Sequence, residues 1–101
     1  MKRHLLPAIA AAVLALATPA AADAANLVKR QVRQQARIDQ GVNQGHLSRG
    51  EAVRLQKSQN RIRRSIRRDR ADGNGLSAAE RAKANARLNR QSRRIHTARN
   101  N

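Results

Sequence analysis

Gly45-His46-Leu47-Ser48-Arg49-Gly50-Glu51 carries the pattern G-x-L-S-x-x-E, and Leu76-Ser77-Ala78-Ala79-Glu80 repeats L-S-x-x-E 29 residues later, again behind a glycine, Gly75. Each S-x-x-E is a capping box: the serine hydroxyl accepts from the glutamate backbone N–H, and the glutamate carboxylate accepts from the serine N–H. The spacing predicts one helix starting at Ser48 and another at Ser77, with the glycine-containing stretch before each ending the preceding helix. Ser48, Glu51, Ser77 and Glu80 are therefore helix-capping residues.

Outward from the first box, residues 48 to about 70 carry Ala52, Leu55, Gln59, Ile62 and Ile66 in steps of 3, 4, 3 and 4, a narrow seam of the coiled-coil type. Residues 77 to about 97 carry Ala84, Leu88, Gln91 and Ile95 on the same spacing, and a shift of 29 lays these on Leu55, Gln59, Ile62 and Ile66. Cap, seam and register agree, so the two segments read as an internal duplication of a turn–helix unit. Each seam holds one glutamine, Gln59 or Gln91. A lone polar residue there can set register, but in so thin a seam the expected place for it is the wet edge. Upstream, residues 25 to about 40 suit a first helix. Its seam is Val28, Val32 and Ala36 at i, i+4 and i+8, widened by Leu27 and Ile38. Gly41-Val42-Asn43-Gln44-Gly45 then breaks it. The expected fold class is all-α: three helices, the last two forming an EF-hand-like helix–loop–helix without metal.

The first 24 residues read as an address. Lys2, Arg3 and His4 form a basic n-region, Leu5 to Leu16 an apolar stretch, and Ala22-Asp23-Ala24 a small-residue cleavage site after Thr18-Pro19, the pattern of a secretory signal peptide. The apolar stretch is broken by Pro7 and followed by small residues rather than a basic stop-transfer run, which favours a cleavable signal over a membrane anchor. The expected cut follows Ala24, with Ala22 as the alternative. The expected organisation is residues 1–24 as signal peptide, 25–97 as a small basic helical domain and 98–101 as a fraying tail, with a periplasmic or secreted location.

With no Cys in 101 residues, disulfides, thiolate metal sites and a lipidated N-terminal cysteine are excluded. From Ala25 onward 77 residues remain, and removing Lys2, Arg3 and Asp23 takes the net charge from +16 to +15. Thirteen large aliphatics and no aromatic in those 77 residues fall below the roughly 20% at which a highly charged chain tends to disorder. The domain is expected to be marginal, reaching full order with a partner or by self-association.

Candidate chemistry is sparse. The loop before the third helix resembles an EF-hand calcium loop ending at Glu80, but counting back puts Ala71, Gly73 and Asn74 at positions 3, 5 and 6, where a calcium loop needs two ligands and a glycine. In the first copy Gln40, Val42 and Gln44 occupy ligand positions. Arg67, Arg68 and Arg70 beside the second loop repel a divalent cation, so no metal or other cofactor is expected. Ser48 and Ser77 are caps, and Ser58, Ser65 and Ser92 lie on charged helices without a His–Asp relay. His46 and His96 have no third ligand, and the acidic residues stand one at a time, so no enzyme is expected. What remains is charge. Arg61, Arg63, Arg64, Arg67, Arg68 and Arg70 fall within ten residues, and Arg87, Arg90, Arg93 and Arg94 line the next helix. Arginine outnumbers lysine 17 to 3 after Ala24, which suits bidentate pairing with phosphate or carboxylate. Without aromatic residues to stack bases, specific nucleic-acid recognition is not expected.

Two resemblances follow from these residues. The stretch from Arg33 to Ile95 resembles a group of small uncharacterised exported proteins of Gram-negative bacteria, in which a Gln/Arg-rich helix precedes repeated G-x-L-[ST]-x-x-E units. The matching pieces are Gly41-Val42, Gly45-x-Leu47-Ser48-x-x-Glu51, Ala71-Asp72-Gly73, Leu76-Ser77-x-x-Glu80-Arg81 and Ser92-Arg93-Arg94-Ile95. That resemblance implies an exported protein and no known activity. Leu47-Ser-x-x-Glu51 and Leu76-Ser-x-x-Glu80 are also similar to the L-T-x-x-Q motifs of Spy/CpxP-type periplasmic chaperones, which implies an all-helical, basic stress protein. This chain is shorter, has Glu in place of Gln and has less apolar content.

Three functions are therefore expected, in this order. The first is an exported binding module whose Arg-rich faces engage an anionic envelope lipid or acidic polymer. The second is a stress chaperone that cradles client proteins on a shallow Leu55/Ile62/Ile66/Leu88/Ile95 surface. The third is a degenerate EF-hand-like calcium sensor.

Overall fold

Both capping boxes form. The Ser48 N–H donates to Glu51 Oε1 at 2.8 Å and the Glu51 N–H to Ser48 Oγ at 3.1 Å; Ser77 and Glu80 repeat the pair at the same two distances. The computed structural model describes residues 19–71 and 75–101. Within them the chain is all-α, with three helices: α1 (Pro19–Asn43), α2 (Arg49–Ala71) and α3 (Ala78–Arg99). The basic n-region and the apolar stretch expected as a signal lie outside the described residues, as do residues 72–74 of the second loop. None of the described helices is long and apolar enough to cross a membrane.

Helix α1 opens on Pro19, whose fixed φ and missing N–H suit a first helical position. It runs through both expected cleavage positions, and Leu27, its first core residue, lies beyond either. Asp23 pairs with Arg81 at 3.2 Å. A cut after Ala22 keeps that pair and a cut after Ala24 removes it, at a cost of about 0–1 kcal/mol for so exposed a contact. The break expected from Gly41 onward comes three residues later. Gly45 takes the left-handed conformation (φ +74°). Its N–H donates to the Val42 carbonyl and that of His46 to the Gly41 carbonyl, closing a Schellman turn. Gly41 instead stays helical, and Leu47 folds over it so closely that a Cβ there would lie 2.7 Å from Leu47 Cδ1.

The helices alternate in direction. Leu27 near the start of α1, Ile62 and Ile66 near the end of α2, and Ala84 and Leu88 near the start of α3 form one apolar cluster, with Leu76 against it. Ile38, Leu55 and Ile95, joined by Leu47, form the other, with Ala52 and Ala98 alongside. Between the two lies a layer of three buried glutamines, Gln34, Gln59 and Gln91, each no more than 3% exposed.

Four expectations are corrected here. Gln59 and Gln91 sit at the centre of the bundle rather than its wet edge, because a third glutamine and a backbone carbonyl accept from their amide N–H groups. The first helix packs through Leu27, Gln34 and Ile38, while Val28 and Val32 are 44% and 64% exposed and Ala36 is exposed. Leu55, Ile62, Ile66, Leu88 and Ile95 are interior, so they offer no surface on which to cradle a client. Residues 98 and 99 do not fray: Ala98 packs on the Ile38/Leu55/Ile95 cluster, Arg99 donates to the Arg37 carbonyl at 3.4 Å, and Asn100 caps the helix through the His96 and Thr97 carbonyls.

Candidate anion-binding groove

The 3–4 spacing that builds the core recurs in charge, one residue away along α3 and one or two residues away along α2. On α2, Arg54, Lys57, Arg61, Arg64 and Arg68 step by 3, 4, 3 and 4; on α3, Lys83, Arg87, Arg90 and Arg94 step by 4, 3 and 4. Residues at this spacing stay on one helical face. The helices are antiparallel, so the rows face each other across a groove. It consists of two connected concavities of about 890 and 500 Å³ that share Ser58, Arg61, Arg90 and Arg94. Among the described residues, the one acidic side chain lining it is Glu51, at its far end. That carboxylate is engaged in its cap, and the backbone N–H of Ser48 holds its pKa below the usual glutamate value.

Two of the groove arginines are tethered. Arg87 donates to Ser65 Oγ, and Arg94 to Ser58 Oγ at 3.1 Å, both serines being buried. The same device recurs between α1 and α3, where Arg30 reaches Asn85 Oδ1 (2.8 Å) and Asn89 Oδ1 (2.6 Å), and Arg37 reaches Ser92 Oγ (3.0 Å). Behind this lies a second repeat. Arg30-x-x-Arg33-Gln34-x-x-Arg37-Ile38 and Arg87-x-x-Arg90-Gln91-x-x-Arg94-Ile95 share R-x-x-R-Q-x-x-R-I at a separation of 57. In each copy the Gln and Ile are buried, the outer arginines tether the neighbouring helix, and the middle arginine faces solvent. Burial, and next the charge of Arg33, lower the Arg30 pKa, but arginine stays protonated in proteins.

Of the ten arginines expected to bind anions, Arg61, Arg64, Arg68, Arg87, Arg90 and Arg94 come together in the groove, and Arg93 lines its wider end. Arg63, Arg67 and Arg70 do not join them. They face α1, beside Val28 and Val32, because a step of two residues on a helix turns the side chain to the opposite side. Sequence reading missed Arg54 and Lys57, which line the groove, Lys83, which continues the α3 spacing beyond it, and the tethers Arg30 and Arg37. The signal for the first three was the heptad spacing of the basic residues themselves. The calcium-loop reading falls partly on residues 72–74, outside those described; among the described residues no three His, Asp or Glu side chains cluster. A scan of protein families and searches of curated proteins and of solved structures find no match to this chain.

Proposed function

We propose that this protein is a non-enzymatic, exported binding module that holds an anionic envelope partner, a lipid phosphate or an acidic polymer, against its Arg-rich helix faces. One observation carries the reading: where guanidinium groups are tethered, their acceptors are almost all neutral. Ser58, Ser65, Ser92, Asn85, Asn89, Asn60 and the Leu76 carbonyl accept from arginines, whereas the described residues hold a single salt bridge, Arg81–Asp23. A guanidinium bonded to a hydroxyl or amide keeps its whole charge, so the surface is positioned but not neutralised, and its field attracts polyanions. Hydrogen bonds between such a cation and an oxyanion are the strong, charge-assisted kind. The exported location rests on the N-terminal pattern Lys2 to Ala24.

The test is binding of the purified protein to vesicles and to acidic polymers across a salt series. Displacement of counterions from several anions makes affinity fall tenfold or more between about 50 and 200 mM salt. Affinity that ignores salt, or equal binding to zwitterionic vesicles, would sink the proposal.

A further inference from the structure

Resting on that reading, we infer that the α2–α3 groove is a track for one unbranched polyanion lying along its length, and that the ligand is a linear acidic glycan. The α2 row from Arg54 to Lys57, Arg61, Arg64 and Arg68 spans 14 residue steps, about 21 Å at 1.5 Å per step, with rungs about 5 Å apart. The α3 row provides the second wall. A compact anion such as inorganic phosphate reaches one or two rungs and leaves the others facing each other across the groove. Only an extended chain relieves the repulsion along its whole length.

The rest of the molecule narrows the chemistry. Among the described residues no exposed large apolar side chain lines the groove, since Val28 and Val32 lie on the α1–α2 face and neither Val42 nor Val53 borders the concavities. A bilayer would find guanidinium groups there without the apolar anchor that interfacial helices use. The chain has no aromatic residue, so the bases of a single-stranded nucleic acid have no stacking platform. One charge per rung is the spacing of a glycan bearing one carboxylate per sugar. Polyphosphate carries its charges closer together, and so does duplex nucleic acid, with one per about 1.7 Å of its axis.

The experiment uses oligo-uronates of increasing length as probes, with inorganic phosphate, polyphosphate and anionic vesicles as the other arms. Affinity should rise with each added sugar until the chain spans the five rungs of α2, then level off. Two variants of equal charge change separate the groove from general basicity. R61Q/R64Q/R68Q/R90Q should bind the long oligo-uronate at least tenfold more weakly. R33Q/R63Q/R67Q/R70Q should change it less than threefold. All eight side chains are exposed, and circular dichroism should report both variants as helical as the parent. Equal losses in the two variants would overturn the groove assignment, as would a short uronate or inorganic phosphate binding as tightly as the long chain. Preference for polyphosphate or vesicles would overturn the glycan assignment and leave the general anion-binding reading standing. A parent that binds none of these probes would overturn both.

Discussion

At the residue scale the decisive feature is the glutamine layer. Gln91 Nε2 donates to both Gln59 Oε1 and the Leu55 carbonyl at 3.0 Å; Gln59 Nε2 donates to Gln34 Oε1 at 3.1 Å, and Gln34 Nε2 to the Leu88 carbonyl at 2.8 Å. Each helix is thereby tied to another through a buried amide. The chain is not perfectly satisfied, because Gln91 Oε1 has no partner. A buried polar group without a partner costs more than a made hydrogen bond returns, so single and collective substitutions should have opposite signs. Gln59→Leu strands Gln34 Oε1 and should lower unfolding free energy by about 1–3 kcal/mol. Replacing Gln34, Gln59 and Gln91 together by Leu should return stability to the parent value or above. Chemical denaturation measures both, and equal stability of the single and triple variants would mean the layer does not act as a unit.

At the element scale, the register of α1 separates two readings of one helix. Leu27 is 1% exposed and Val32 64%. Leu27→Ala should therefore cost about 2–5 kcal/mol, as for other buried leucines. Val32→Ala should stay within about 0.5 kcal/mol. A thermal melt of the pair decides it, and the reverse order would restore the Val28/Val32/Ala36 seam. The helices themselves, their caps and the seams of α2 and α3 were legible because each rests on contacts three or four residues apart. The seam of α1 was not. Its heptad positions are Leu27, Gln31, Gln34 and Ile38, so a search for apolar periodicity meets two glutamines where it needs leucines and settles on valines that face water. The groove was half legible for a similar reason: counting arginines finds the charge, but only the facing of two helices separates Arg61, Arg64 and Arg68 from Arg63, Arg67 and Arg70.

At the scale of the whole molecule, each apolar cluster takes residues from all three helices, so no pair of helices buries a complete core. A fragment of residues 44–101 keeps both capping boxes and the duplicated seam but lacks Leu27, Gln34 and Ile38. Short helices without a packed face are marginal in water, so this fragment should lose most of the parent's helical circular dichroism. A hairpin as helical as the parent would show that α1 is dispensable. The sequence alone determined where α2 and α3 begin, that all three segments are helical, and that the chain carries a large positive charge, since capping, periodicity and charge are properties of neighbours along the chain. Only the tertiary structure decided that three glutamines meet in the centre, that Val28 and Val32 face outward, and that two basic rows share one groove. Those outcomes depend on which side chains of distant segments satisfy one another, and a polar residue becomes a core residue only when its partners arrive from the other helices.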